Sequence, residues 1–96
     1  MRESTLEDYF IAQCAANGWE YRKVAWVGRR SAPDRLIMVL GGIYVELKAP
    51  GKKLRPDQLR EQGLMRAGDM QVRMIDTKAQ VDDLVKSING ILLLRK

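Results

Sequence analysis

Two short apolar runs separated by a pair of glycines constrain the fold of this 96-residue chain more than any other feature. Residues 36–40 and 43–45 have the length and aliphatic content of sheet strands, and Gly41-Gly42 between them predicts a hairpin. The second run is apolar on both faces, which favours a central strand over an edge strand. It leads into Glu46 and Lys48. Because alternate residues of a strand point to the same face, these two side chains are predicted to lie together.

Charged side chains at the end of a buried strand rarely lack a partner or a purpose. Asp34 precedes the first run, directly after Pro33. Two carboxylates and a lysine around one point suit metal-assisted phosphodiester hydrolysis, since carboxylates hold a hard divalent cation and a lysine orients or deprotonates the attacking water. The alternative is structural: Glu46 and Lys48 form an ion pair on a half-exposed strand, and Asp34 is an ordinary turn residue after proline.

The register of the hairpin decides whether the carboxylates meet. A two-residue turn would place Asp34 on the face opposite to Glu46. A three-residue loop over residues 40–42 would place Asp34 opposite Lys48 and Leu36 opposite Glu46. We therefore predict this three-residue loop, or else that Asp34 lies just before its strand and bends in.

Basic charge surrounds the candidate site. The chain carries a net charge of +5, but residues 22–60 hold ten basic and only three acidic residues, a net charge of +7. This excess predicts a surface that binds a polyanion such as nucleic acid, although a solvated, solubilising surface would have the same composition. The candidate nucleic-acid contacts are Arg29, Arg30, Arg35, Lys52, Lys53 and Arg55.

Composition excludes several classes of protein. The chain has a single cysteine, Cys14, and no histidine, so neither an internal disulfide nor a zinc site is expected. A lone thiol suits a reducing cytoplasm. No apolar run approaches the length of a membrane span, and the charged, amphipathic start of the chain does not resemble a signal peptide.

The remaining patterns predict an α/β fold. Helices are expected from residue 3 to 16, from Pro56 to about residue 67, and from Thr77 to Asn89-Gly90, with further strands at 19–27 and 70–75. The order is helix, three strands, helix, strand and helix, which gives one domain over residues 1–96 with a mixed central sheet flanked by helices. The apolar residues 91–94 remain as a short final strand, a contact with another subunit, or part of the core.

Glu7 in the first helix has two interpretations. It lies near the edge of the apolar stripe, one turn before Phe10, and could face inward. The spacing Ser4-x-x-Glu7 is also a capping-box pattern, in which the glutamate reaches back to the start of the helix. From the residues alone, the cap is favoured.

These residues and this order of elements resemble the PD-(D/E)xK nuclease superfamily, and most closely its VRR-NUC family of virus-type replication-repair nucleases. The resemblance extends from about residue 6 to residue 88, and its small size is similar to stand-alone phage and prophage members. It implies a restriction-endonuclease-like αβββαβ core in a protein of a bacterial cytoplasm. The matching residues are Glu7, Pro33-Asp34, Glu46-Leu47-Lys48 and Gln58.

The resemblance assigns a metal site for Mg²⁺ or Mn²⁺. Asp34 and Glu46 would bind the cation together with the Leu47 carbonyl, and Glu7 would complete the acidic cluster directly or through water. This assignment takes precedence over the capping interpretation of Glu7.

The resemblance also implies a reaction. Lys48 would position or activate water, and Gln58 would orient the lysine or the scissile phosphate. The leading expectation is a structure-specific DNA endonuclease that acts as a homodimer on branched DNA such as four-way (Holliday) junctions. A general or restriction-type nuclease is one alternative, and a non-catalytic nucleic-acid-binding protein is another.

Overall fold

The computed structural model describes all 96 residues, Met1–Lys96, and its elements follow the predicted order. They are α1 (Glu3–Ala16), β1 (Tyr21–Lys23), β2 (Arg35–Ile37), β3 (Ile43–Leu47), α2 (Pro56–Ala67), β4 (Gln71–Ile75) and α3 (Lys78–Leu94). The α/β prediction is therefore confirmed. None of the three helices has the combination of length and apolar composition that a bilayer crossing requires.

The four strands form one mixed sheet in the order β1-β2-β3-β4. The β1–β2 and β2–β3 pairs are antiparallel, whereas β3 and β4 are parallel. Parallel neighbours need a crossover connection, which α2 provides. The strand that carries Glu46, β3, is thus a central strand, as its apolar composition predicts.

The two faces of the sheet have different partners. Eleven buried residues from α1, β2, β3, β4 and α3 form the main core, including Leu6 and Phe10 of α1 and Ile43, Val45 and Leu47 of β3. Because strand side chains alternate, the intervening Glu46 points to the other face, where α2 covers it. The candidate site therefore lies outside the main apolar core, between the sheet and α2.

The predicted hairpin register is wrong by two residues. Ile37 pairs with Ile43 and Leu36 pairs with Tyr44, so five residues form the loop instead of three. Backbone conformation explains the long loop, since Leu40, Gly41 and Gly42 all have positive φ and cannot continue a strand. The two-residue shift still preserves the face of every side chain.

The strand over residues 19–27 is shorter than predicted. β1 pairs with β2 over three residues only, because β2 itself ends at Ile37. The chain then leaves the ladder, and the Trp26 ring packs edge-on against Tyr44 at 6.0 Å between centroids. This contact lies on the α2 face of the sheet.

The C-terminal apolar run is not a strand. The last helix continues through Asn89 and Gly90 to Leu94. Leu92 lies one turn after the buried Ile88 and packs against the core, so the helical face continues past the glycine. That packing offsets the cost of about 1 kcal/mol that a glycine brings to a helix interior. Leu94 is 86 % exposed at the end of the helix.

The capping-box prediction for Glu7 is also wrong. The first helix already begins at Glu3, with Arg2 at the N-cap and no side-chain cap. Ser4 therefore lies inside the first turn and cannot act as an N-cap. Thr77 does cap α3, because its hydroxyl oxygen accepts from the Gln80 N–H at 3.2 Å.

Candidate active site

The hairpin brings Asp34 and Glu46 to one face of the sheet. Asp34 is the residue before β2, as one of the two predicted arrangements requires, and continuing the observed register places it opposite Glu46. Its Oδ2 accepts a hydrogen bond from the Leu47 N–H at 2.8 Å. This bond joins Asp34 to the end of β3, so its carboxylate is held by the strand that carries Glu46.

Glu46 lies in a nearly closed environment. The residue is 4 % exposed, its Oε2 accepts a hydrogen bond from Gln58 Nε2 at 2.8 Å, and Lys48 Nζ lies 3.7 Å from the same oxygen. Lys48 is itself largely covered, with 12 % of its side chain exposed. A carboxylate, an ammonium group and an amide therefore meet at the end of one central strand.

Burial and neighbouring charges perturb both carboxyl groups. Burial, followed by the charge of Asp34, raises the pKa of Glu46 to about 7, against the opposing effect of Lys48. The pKa of Asp34 is also raised, first by burial and then by Glu7, although its hydrogen bond from Leu47 opposes the change. Neighbouring acids whose pKa values are raised by burial and nearby negative charge are found at functional sites more often than at structural ones.

Gln58 is oriented from both ends of its amide. Its Oε1 accepts from the backbone N–H of Arg55 at 2.9 Å, just ahead of the first turn of α2. An amide whose oxygen is held in this way must present its nitrogen to the carboxylate. The helix start therefore fixes the donor that contacts Glu46, a role the sequence alone did not reveal.

Glu7, a predicted metal ligand, forms no hydrogen bond or ion pair with the other predicted ligands. Its Oε2 lies 3.3 Å from Arg35 Nε, and Arg35 also lies over the Tyr21 ring at 5.9 Å. Arg35 points to the α1 face of the sheet, because it pairs with the core residue Val45. It is thus largely covered, away from the other predicted nucleic-acid contacts. Glu7 borders the site through its charge rather than by contact.

The remaining basic residues lie on two exposed segments. Lys52 and Lys53 are exposed in the loop that follows β3, close in sequence to Lys48. Arg29, Arg30 and Arg55 line a cleft beside the start of α2. Five of the six predicted nucleic-acid contacts are therefore accessible to a large ligand.

A polar stripe on α2 was missed from the sequence. Gln58, Glu61 and Gln62 are buried, and Met65 is the only apolar member of this helical face. The spacing i, i+3, i+4 and i+7 marks a core-facing stripe, and polar residues at those positions signal a site rather than a core. That pattern was available in the sequence.

The donor chemistry fits a hard divalent cation. No group of three or more histidine, cysteine, aspartate or glutamate side chains is arranged to hold a metal ion. The available oxygen donors are the Asp34 and Glu46 carboxylates and the Leu47 carbonyl, which belongs to the residue whose N–H holds Asp34. Mg²⁺ typically uses one or two carboxylates and fills its other positions with water and phosphate. Burial raises the pKa of both carboxyl groups despite the positive charge of Lys48, so an added cation would favour their ionised forms.

Comparisons with known proteins agree with this arrangement. The chain is 34 % identical over 91 residues to "Putative nuclease p44" of Acyrthosiphon pisum secondary endosymbiont phage 1, covering 93 % of this chain and 97 % of that protein. A solved structure described as "VRR_NUC domain" superposes with a TM-score of 0.78 at 32 % identity, covering 88 % of this chain and 94 % of the other. No family model matches the sequence. Relatives of this identity, matched along nearly their whole length, show that the chain belongs to the VRR-NUC family of nucleases.

Proposed function

We propose that this protein is a Mg²⁺- or Mn²⁺-dependent, structure-specific DNA endonuclease that hydrolyses phosphodiester bonds. The observation that carries the proposal is the convergence of Asp34, Glu46 and Lys48 at the end of β3. A protein that only bound nucleic acid would gain nothing from two carboxylates beside its phosphate-binding cations, because they repel the backbone. Membership of a nuclease family supports the same conclusion.

Asp34, Glu46 and the Leu47 carbonyl are the groups that would hold the cation. When bound there, a divalent cation would neutralise charge on the scissile phosphate and act as a Lewis acid. The protein contributes the geometry. The Leu47 N–H fixes the Asp34 carboxylate, and the Gln58 amide fixes the Glu46 carboxylate.

Lys48 is the group that would orient the attacking water. Its ammonium is held 3.7 Å from Glu46 Oε2, and it has three donors and no acceptor. At this distance the ammonium forms an ion pair with the carboxylate, and its N–H groups can hold a water oxygen beside the phosphate. Partial burial favours this role, because a largely covered lysine has few competing water partners.

Exposed cations would hold the DNA backbone around this centre. Lys52 and Lys53 extend from the loop after β3, and Arg29, Arg30 and Arg55 surround the start of α2. Interactions of this kind supply affinity without sequence information. Contacts to the DNA backbone of this kind favour recognition of DNA shape over recognition of sequence.

A homodimer would match a branched substrate. A four-way junction is resolved by two symmetric cuts, and a two-fold dimer presents one active centre to each. Leu93 and Leu94 are exposed at the end of α3 and offer an apolar surface for such an interface. The phage relative supports a phage- or prophage-encoded protein that acts in a bacterial cytoplasm.

Incubation with labelled DNA tests the proposal. Four-way junctions and linear duplexes of matched sequence are incubated with Mg²⁺, with Mn²⁺ or with chelator, and the products are resolved on denaturing gels. We expect cleavage of the junction that requires the metal and exceeds cleavage of the duplex. Equal cleavage of both substrates would instead identify a general nuclease. Metal-dependent binding without any cleavage would contradict the enzymatic proposal.

A further inference from the structure

The cleft beside the start of α2 is lined by residues other than the Asp34–Glu46 pair. Its volume is about 820 Å³, and none of the seven residues that line it is hydrophobic. Four arginines face two carboxylates across this cleft, so its lining carries a net charge of +2; the arginines are Arg29, Arg30, Arg55 and Arg60. No other part of this small fold concentrates arginine in this way.

One of these arginines, Arg29, is held in place by a buried carboxylate. Arg29 Nε donates to both oxygens of Glu61, at 2.7 and 3.0 Å. Glu61 is 6 % exposed, whereas 61 % of the Arg29 side chain is exposed. The buried carboxylate thus holds the Nε edge of the guanidinium, and the two terminal nitrogens make no hydrogen bond within the protein. They remain available to a ligand as a fork of donors.

The second carboxylate is also engaged by neighbours. Asp57 accepts hydrogen bonds from the Ser31 hydroxyl and from Arg55 Nε, the latter at 3.2 Å. By contrast, Arg30 and Arg60 form no salt bridge with any carboxylate of the chain. The acids of the cleft therefore hold two arginines in place and leave two unpaired.

The composition of the lining indicates what it binds. Arginine forks match the oxygens of a phosphodiester, and the lining has no aromatic ring on which a base could stack. The cleft also connects to the candidate active centre, because the Arg55 N–H holds the Gln58 amide that contacts Glu46. A strand that occupied the cleft would run past the first turn of α2 toward the scissile position.

We propose that this arginine cleft is a backbone-only subsite for an uncleaved phosphodiester of the DNA substrate, with Arg30 and Arg60 as its phosphate-binding residues and Glu61 as the positioning residue for Arg29. The proposal rests on the proposed function for the identity of its ligand. It adds Arg60, which the basic loops alone did not suggest, and it requires the subsite to be indifferent to base sequence.

Fluorescence anisotropy with chelator present tests the subsite without cleavage. The probes are two fluorescein-labelled linear duplexes of unrelated sequence, titrated at several salt concentrations. Arg60→Ala is expected to weaken binding of both duplexes equally. It should also make the negative slope of log K against log salt shallower by about 0.9, the value for one phosphate that the protein no longer neutralises. Arg73→Ala, which removes an exposed arginine from β4, is the matched control and should leave the slope unchanged. Equal behaviour of the two variants would overturn the subsite.

Glu61→Gln separates positioning from simple charge. The substitution raises the net charge of the lining to +3, from the +2 of four arginines and two carboxylates, so electrostatics alone predicts tighter binding. It also leaves Arg29 with one neutral acceptor in place of a charged carboxylate, and this weaker anchor predicts weaker binding. We expect weaker binding, with folding checked by circular dichroism. Tighter binding by a folded variant would refute the positioning role. If Arg60→Ala weakens binding while the wild type fails to cleave with Mg²⁺ or Mn²⁺, the subsite stands and the proposed nuclease function fails.

Discussion

The buried carboxyl group of Glu46 makes stability depend on pH in a way that one substitution should remove. Its pKa is about 7 in the folded protein against an ordinary value of 4.5. Between these values the unfolded chain releases the proton and the folded chain retains it. Proton retention therefore stabilises the folded protein fully at pH values below the pKa of Glu46 in the unfolded chain. This stabilisation is lost as the pH rises through the pKa of Glu46 in the folded protein. Asp34, whose pKa is also raised, contributes with the same sign.

The magnitude follows from the two pKa values. One pKa unit corresponds to about 1.4 kcal/mol, so the Glu46 carboxyl sets an upper limit of about 3 kcal/mol. This limit is reduced by solvent that reaches the Glu46–Lys48 ion pair and by structural relaxation when Glu46 ionises. We expect the free energy of unfolding to fall by about 1–2 kcal/mol between about pH 5 and about pH 8 without divalent cations. In Glu46→Gln, which has no carboxyl group to ionise at this position, most of this decrease in the free energy of unfolding should be absent.

Urea unfolding in the presence of chelator measures this effect. The wild type, Glu46→Gln and the control Glu20→Gln are compared at both pH values, with Glu20 chosen because its side chain is exposed on the surface. The control should follow the wild type, and Glu46→Gln should be the more stable protein at the higher pH only. A Glu46→Gln profile parallel to that of the wild type would refute the argument that burial retains the Glu46 proton.

Three further predictions concern the metal, the DNA and the assembly. Millimolar Mg²⁺ or Mn²⁺ should raise the melting temperature of the wild type by mass action but not that of Asp34→Asn, and an unchanged wild type would count against the cation site. Replacing Lys52 and Lys53 with alanine should weaken DNA binding and lower the salt slope by about 0.9 for each phosphate that is no longer neutralised, while the cleavage rate at saturating DNA persists; an unchanged slope would remove these lysines from the interface. Light scattering should give about twice the 11.0 kDa chain mass, and Leu94→Glu should return it to the monomer value. A folded, fully dimeric Leu94→Glu would place the interface elsewhere.

Much of the fold follows from local patterns. Apolar spacing predicts α1 and α3, Pro56 predicts the start of α2, and the double glycine predicts the hairpin that brings the two acids together. The exact register depends on three consecutive positive φ angles at residues 40–42, one of them at Leu40, and no propensity predicts such a conformation for leucine. The face shared by Asp34 and Glu46 is unaffected by this error because the shift is an even number of residues.

Tertiary contacts determined what the sequence did not reveal. The helix pattern of α3 continues through Gly90 because Ile88 and Leu92 lie on one packed face, although an Asn-Gly pair usually ends a helix. Glu7 is drawn to Arg35, which approaches from another element of the fold. The anchor between Glu61 and the residue 29 side chain joins positions 32 residues apart, and only the folded chain brings them together.

Cleavage by Lys48→Ala tests the central claim most directly. Metal-dependent cleavage, and DNA binding in chelator, are measured on the same junction substrate for the wild type, Lys48→Ala and the exposed α3 control Lys86→Ala. Removal of one well-placed water-orienting group should reduce the cleavage rate by about 10²–10⁴-fold, while binding in chelator remains close to that of the wild type. Lys86→Ala should cleave normally. Near-normal cleavage by a folded Lys48→Ala would contradict the account of this active site.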